Sequence, residues 1–67
     1  MKTLTFNNVK KWAKRQDIQV ENGRTSTEYV WWDINDHSMQ GVTYSVLELY
    51  EDIISDMVMK GKRPLPL

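Results

Sequence analysis

Two adjacent tryptophans, Trp31 and Trp32, lie in the segment most typical of a β-strand, residues 28–34. This segment is β-branched and aromatic, a composition that suits a pleated, half-buried surface. Successive side chains of a strand point to opposite faces of the sheet, so both indoles cannot enter the same core. The chain is therefore expected to form layers, with one tryptophan under the cover of another element and the other on the opposite face.

The chain is short, with 67 residues and no cysteine, and predicts one domain without disulfides. Such a domain buries only about 60% of the surface that its unfolded chain exposes, so its stability is marginal. Residues 1–60 are assigned to the domain and residues 61–67 to a flexible C-terminal tail. Neither a signal peptide at the Met1 end nor an apolar segment of about 20 residues is recognised, so a cytoplasmic protein is expected.

Two helices are predicted, one at each end of the chain. The first covers residues 5–16, with Thr5 as its N-cap, and separates an apolar arc from a basic one. The second begins after Thr43 or Ser45, which are equally good N-caps, and ends near residue 60. Its acidic arc lies opposite a wide apolar arc, which is typical of a helix that lies on a core.

The first strand is predicted around Ile18 and can pair with residues 28–34 in two registers. A two-residue loop at Asn22-Gly23 would place Ile18 on the face of Trp31, whereas a loop of about five residues, 22–26, would place it on the face of Trp32. With the tight turn, a β-bulge that shifts the alternation of side chains by one residue would also place Ile18 on the face of Trp32. The longer loop is preferred because it makes one face consistently apolar. That face holds Ile18, Val20, Val30, Trp32 and Ile34.

A third strand within residues 37–42 is left open, because Gly41 and its polar neighbours are equally typical of a loop. The predicted fold class is α+β. It is a two-layer domain with the order helix, two or three antiparallel strands, helix, and both helices lie on one face of the small sheet.

The preferred register leaves an aromatic surface on the uncovered face of the sheet. Tyr29 and Trp31 would point outward there, with Asp33 beside them. Exposed clusters of large aromatic side chains mark interfaces, and Trp and Tyr are frequent among binding hot spots. These three residues are the predicted binding site for a protein partner, either a second copy or a different protein. The alternative is that residues 35–42 or the tail cover them.

The formal net charge of zero conceals three blocks of alternating sign. Residues 1–24 carry a net +4, residues 25–58 a net −7, and residues 59–67 a net +3. If both helices lie on one sheet face, the basic edge of the first and the acidic edge of the second are expected to attract each other. Such segregation affects steering and the choice of partner more than it affects the fold.

Each charged arc suggests an alternative function beside that of a simple solvated surface. The basic arc of the first helix would contact nucleic-acid phosphates through Lys10, Lys11, Lys14 and Arg15. The acidic arc of the second would imitate a phosphate backbone and sequester a nucleic-acid-binding protein through Glu48, Glu51, Asp52 and Asp56. The element order resembles that of the double-stranded-RNA-binding domain. That family's lysine-rich motif at the start of the last helix has no counterpart, since residues 44–52 contain no basic residue.

No residue pattern indicates catalysis, a cofactor or a metal site. The sequence lacks cysteine, a phosphate-binding glycine loop and a serine elbow motif, and His37 is its one histidine. A calcium-hand loop around His37 fails, because Ser38 takes the place of its glycine and Tyr44 that of its final glutamate. The sequence therefore predicts a non-enzymatic interaction or regulatory module.

Overall fold

The structure is a computed structural model that describes residues 3–67. Met1 and Lys2, which entered the signal-peptide interpretation and the charge count, lie outside the described residues. The element order confirms the predicted α+β class, and a third strand is present. The elements are α1 (Phe6–Lys14), β1 (Ile18–Asn22), β2 (Tyr29–Asp33), β3 (Gln40–Thr43) and α2 (Val46–Met59).

Local side-chain chemistry determines where the helices begin. The Thr5 hydroxyl accepts a hydrogen bond from the Asn8 backbone N–H at 3.2 Å, so Thr5 is the N-cap as predicted. Of the two candidates for the second helix, Ser45 is the N-cap, and its hydroxyl accepts from the Glu48 N–H at 3.1 Å. Each bond satisfies a donor that the first helical turn cannot pair internally.

A residue in a left-handed backbone conformation follows each helix. Asp17, with φ 62°, redirects the chain from α1 into β1. Gly61, with φ 76°, follows α2, and its N–H donates to the Val58 carbonyl at 3.0 Å. The Lys62 N–H donates to the Met57 carbonyl at 2.8 Å. This pair of bonds is the Schellman arrangement, which requires a residue such as glycine at the position of Gly61.

The three strands form an antiparallel sheet in the order β1-β2-β3, but the preferred register of β1 and β2 was wrong. Val20 pairs with Trp31, and Ile18 pairs with Asp33. The Gly23 N–H donates to the Glu28 carbonyl at 2.8 Å, so the chain reverses within residues 24–27, beyond the Asn22-Gly23 signal. Ile18 and Val20 therefore share a face with Trp31 instead of Trp32.

Trp31 enters the core because two other residues accommodate its indole. It is 1% exposed, and its Nε1 donates to Asp52 Oδ2 on α2 at 2.9 Å. Gly41 pairs with Trp31 on the neighbouring strand. A Cβ at Gly41 would lie only 2.6 Å from Trp31 Nε1, so glycine provides the space for the indole.

Both helices cover the same face of the sheet, as predicted. α1 packs on β1, and α2 packs on β2 and β3. Met39 lies in residues 37–42, which the sequence does not assign to a strand or a loop; it is fully buried and precedes β3. The buried core consists of Val9, Trp12, Ala13, Ile18, Val20, Trp31, Met39, Leu49, Ile53 and Met57.

The C-terminal segment, residues 61–67, lies along α1. The Leu65 carbonyl accepts from Trp12 Nε1 at 2.6 Å, and the Leu65 N–H donates to Gln16 Oε1 at 2.8 Å. Leu67 packs against the core cluster. These contacts place residues 61–67 against the rest of the domain. The sequence analysis expects a flexible tail there.

Candidate interaction surfaces

The face of the sheet opposite the helices has an apolar centre. Trp32 lies on this face, between Gln19 of β1 and Gln40 of β3. Val30 pairs with Val42, which is 54% exposed. Apolar side chains therefore occupy neighbouring positions on β2 and β3 without a helix above them.

The apolar strip continues past the end of β2. The Ile34 N–H donates to the Asp17 carbonyl at 2.9 Å, which extends the pairing of the two strands by one residue. Ile34 is 51% exposed and follows Trp32 in the alternation of side chains. The name "open face" is used below for Val30, Trp32, Ile34 and Val42. Among the strand residues on this side of the described sheet, Glu21 is the one with a charged side chain.

The predicted binding residues Tyr29, Trp31 and Asp33 lie on the opposite, covered face, so their predicted exposure was wrong. Trp31 and Asp33 are buried, and Tyr29 is partly buried with its ring centroid 5.0 Å from that of Phe6. The physical reason is the register, which turns the odd-numbered residues of β2 toward the helices. The aromatic surface exists, but Trp32 forms it.

Asp33 has a structural role on the covered face. Its Oδ1 accepts from the backbone N–H groups of Asn35 and Asp36 at 2.7 and 3.2 Å, and its Oδ2 accepts from Lys62 Nζ at 2.8 Å. Burial alone would raise the pKa of Asp33, but the hydrogen bond from Lys62 and those from the backbone lower it below its usual value. The bond from Asn35, two residues on, is an Asx turn, a preference of aspartate that was readable in the sequence.

The basic residues of α1 and the acidic residues of α2 form no ion pairs with each other within residues 3–67. Within residues 3–67 the ion pairs are Lys60–Asp36 and Lys62–Asp33, so the predicted attraction between the helices produces no ion pair. Arg15 donates to the Pro66 carbonyl at 3.2 Å, and Lys10 Nζ lies 5.8 Å from the centroid of the Phe6 ring. All four residues of the proposed nucleic-acid contact are exposed: Lys10, Lys11, Lys14 and Arg15.

Three of the four acidic residues of α2 lie at one groove. Glu48, Glu51 and Asp52 line an open groove of about 380 Å³ together with Val42 and Thr43 of β3. Asp56 lies one turn further along the helix and does not line the groove. Burial, followed by repulsion from Asp52, raises the pKa of Asp56.

In the part of the chain that the structure describes, no three His, Cys, Asp or Glu side chains are grouped so that they could hold a metal ion. His37 is exposed in the turn before β3. None of the helices within residues 3–67 is long and apolar enough to cross a membrane. Comparison of the chain with protein-family models, curated protein sequences and solved structures gives no match.

Proposed function

We propose that the protein is a small, non-enzymatic interaction or regulatory module of the cytoplasm, and that it self-associates through the open face. One observation carries the proposal: Trp32 lies at the centre of a sheet face from which both helices are absent, beside an exposed Val42. Large exposed apolar patches with a polar border are typical of interaction sites. Tryptophan is also among the residues most frequent in binding hot spots.

The charge of the open face favours a second copy as the partner. A twofold dimer brings the same patch of each copy together, so a patch whose charges are all of one sign meets charges of that same sign. Glu21 is the charged strand residue on this side of the described sheet, and the amides of Gln19 and Gln40 flank Trp32. The two helix surfaces, with four like charges each, suit self-association less well.

The size of the open face predicts a weak dimer. Three strands of about five residues cover roughly 14 by 17 Å, given strand spacings of about 4.8 Å and about 3.3 Å per residue. This projected area of roughly 240 Å² is well below the roughly 800 Å² that each partner buries in a stable complex of standard size. Association is therefore expected to depend strongly on protein concentration.

Sedimentation equilibrium from micromolar to millimolar protein tests the proposal. We expect the unmodified protein to associate and the Trp32→Thr variant to remain monomeric, because threonine suits a strand but removes the apolar centre. Met59→Gln is the matched control, since Met59 is 81% exposed at the end of α2 and away from the sheet. A monomeric unmodified protein at millimolar concentration would refute self-association, as would undiminished association of the Trp32→Thr variant.

A further inference from the structure

The outer edge of β3 offers unpaired backbone groups. The Asp33 N–H donates to the Met39 carbonyl at 2.9 Å, which fixes the hydrogen-bonding phase of the β2–β3 pair. In an antiparallel pair, alternate residues direct their N–H and C=O groups toward the partner strand. Gly41 and Thr43 therefore direct their backbone N–H and C=O groups toward β2. Gln40 and Val42 direct their backbone groups away from the sheet, at its outer edge. β3 is an edge strand, and no described strand pairs with this edge.

The same edge is one wall of the acidic groove. Val42 and Thr43 form the strand side of the groove, and the carboxylates of α2 form the helix side. Residues 25–58, which supply all of these groups, contain seven acidic residues and no lysine or arginine. An extended segment in this groove would therefore meet backbone partners on one side and negative charge on the other.

Asp52 is held at this position by the core. Its Oδ2 accepts from the buried Trp31 Nε1 at 2.9 Å. Its carboxylate also occupies the space that a Cβ at Gly41 would need. Glu48 is oriented from the other end of the groove, since its Oε2 accepts from the Tyr44 N–H at 3.4 Å. The negative wall is thus partly preorganised, which reduces the entropy lost on binding.

We propose that this groove binds an extended basic peptide of a partner protein, which joins the sheet as a fourth strand beside β3. Backbone hydrogen bonds to Val42 supply affinity, as in other cases of strand addition. The peptide's side chains alternate between the two faces of the sheet. Lysine or arginine at every second position meets Glu48, Glu51 and Asp52, and apolar residues between them lie beside Val42 on the open face.

Fluorescence anisotropy with a labelled seven-residue peptide of alternating lysine and valine tests the proposal. We expect saturable binding that weakens as salt rises, because the carboxylates contribute through screened charge. The same peptide with N-methylated amides on its β3-facing edge is expected to bind at least about five-fold more weakly, since each lost hydrogen bond contributes about 1 kcal/mol. No saturable binding, or equal binding of the two peptides, would refute strand addition.

Protein variants test each wall of the groove separately. Val42→Pro removes the outward N–H at an edge position where proline is tolerated, and Val42→Thr retains the N–H as the control. We expect the proline variant to bind about five-fold more weakly than the threonine variant, because both lose the valine side chain but only threonine keeps the N–H. Far-UV circular dichroism checks that both fold. If the proline variant does not fold, the N-methylated peptide gives the same test without altering the protein.

For the acidic wall, Glu51→Gln is compared with Glu21→Gln, which removes the same charge from the opposite side of the sheet. We expect Glu51→Gln alone to weaken binding, by about two-fold or more. Equal losses in both variants would show attraction to overall charge and would refute a specific groove. Trp32→Thr should still bind the peptide, so self-association through the open face and peptide binding succeed or fail separately.

Discussion

Replacement of Trp31 by alanine should destabilise the protein far more than replacement of the adjacent Trp32. Trp31 is 1% exposed and donates a hydrogen bond to Asp52, so Trp31→Ala should cost about 3–5 kcal/mol. A domain of 67 residues has a total unfolding free energy of roughly 3–10 kcal/mol, so this loss is between about a third and all of its stability. Trp32 is partly exposed and lies outside the core cluster, so Trp32→Ala should cost about 1 kcal/mol or less.

Urea unfolding followed by far-UV circular dichroism measures both changes without relying on tryptophan fluorescence. With a denaturant slope of about 1 kcal/mol per molar urea, Trp31→Ala should lower the midpoint by about 3 M or more, and Trp32→Ala by about 1 M or less. If Trp31→Ala is unfolded in buffer, Trp31→Phe provides a smaller, measurable loss. Equal losses at the two positions, or a larger loss at Trp32, would refute the observed register and the open face.

Two further predictions concern charged groups. The pKa of Asp33 is lowered in the folded state, so its stabilisation is full above the unfolded pKa of about 3.9 and is lost as pH falls through the folded value. Urea midpoints between pH 2 and 6 should therefore fall more steeply for the unmodified protein than for Asp33→Asn, and parallel curves would contradict this linkage. Generic duplex DNA or RNA should bind no tighter than roughly 10⁻⁴–10⁻⁶ M at physiological salt, because α1 offers at most four cations. Replacement of Lys10, Lys11, Lys14 and Arg15 by Gln should change anisotropy titrations little, and submicromolar binding lost in that variant would favour direct nucleic-acid binding instead.

Features that depend on a few neighbouring residues were predictable from the sequence. The local patterns indicated Thr5 as the N-cap of α1 and Gly61 as the stop of α2, and they left the N-cap of α2 open between Thr43 and Ser45, of which Ser45 is the cap. The α+β class followed from the change between helical and strand periodicity. The contacts of the C-terminal segment were not predictable, because they join residues about fifty positions apart, such as Leu65 and Trp12.

The candidate site was predicted only in part, because the register depends on how buried polar groups are satisfied. An uncovered aromatic sheet face follows from Trp31 and Trp32 alone, but the number of apolar neighbours favours the wrong tryptophan as the buried one. The same pattern predicts that Asp33 faces solvent, whereas backbone N–H groups and Lys62 satisfy its carboxylate inside the fold. A buried aspartate with such partners costs far less than an unpaired one.

Whether the loop between β1 and β2 has an even or an odd number of residues decides which tryptophan lies on the open face. The bond between Gly23 and Glu28 leaves four residues, 24–27, in the reversal. Loops of two or four residues both place Ile18 with Trp31, whereas a five-residue loop would place it with Trp32, because side chains alternate with a period of two. A two-residue turn at Asn22-Gly23 would thus turn Ile18 toward the same face as the observed loop does, although the observed loop lies at residues 24–27. The burial of Trp31, which contacts Asp52 and fits beside Gly41, therefore places its neighbour Trp32 on the open face, where it is partly exposed.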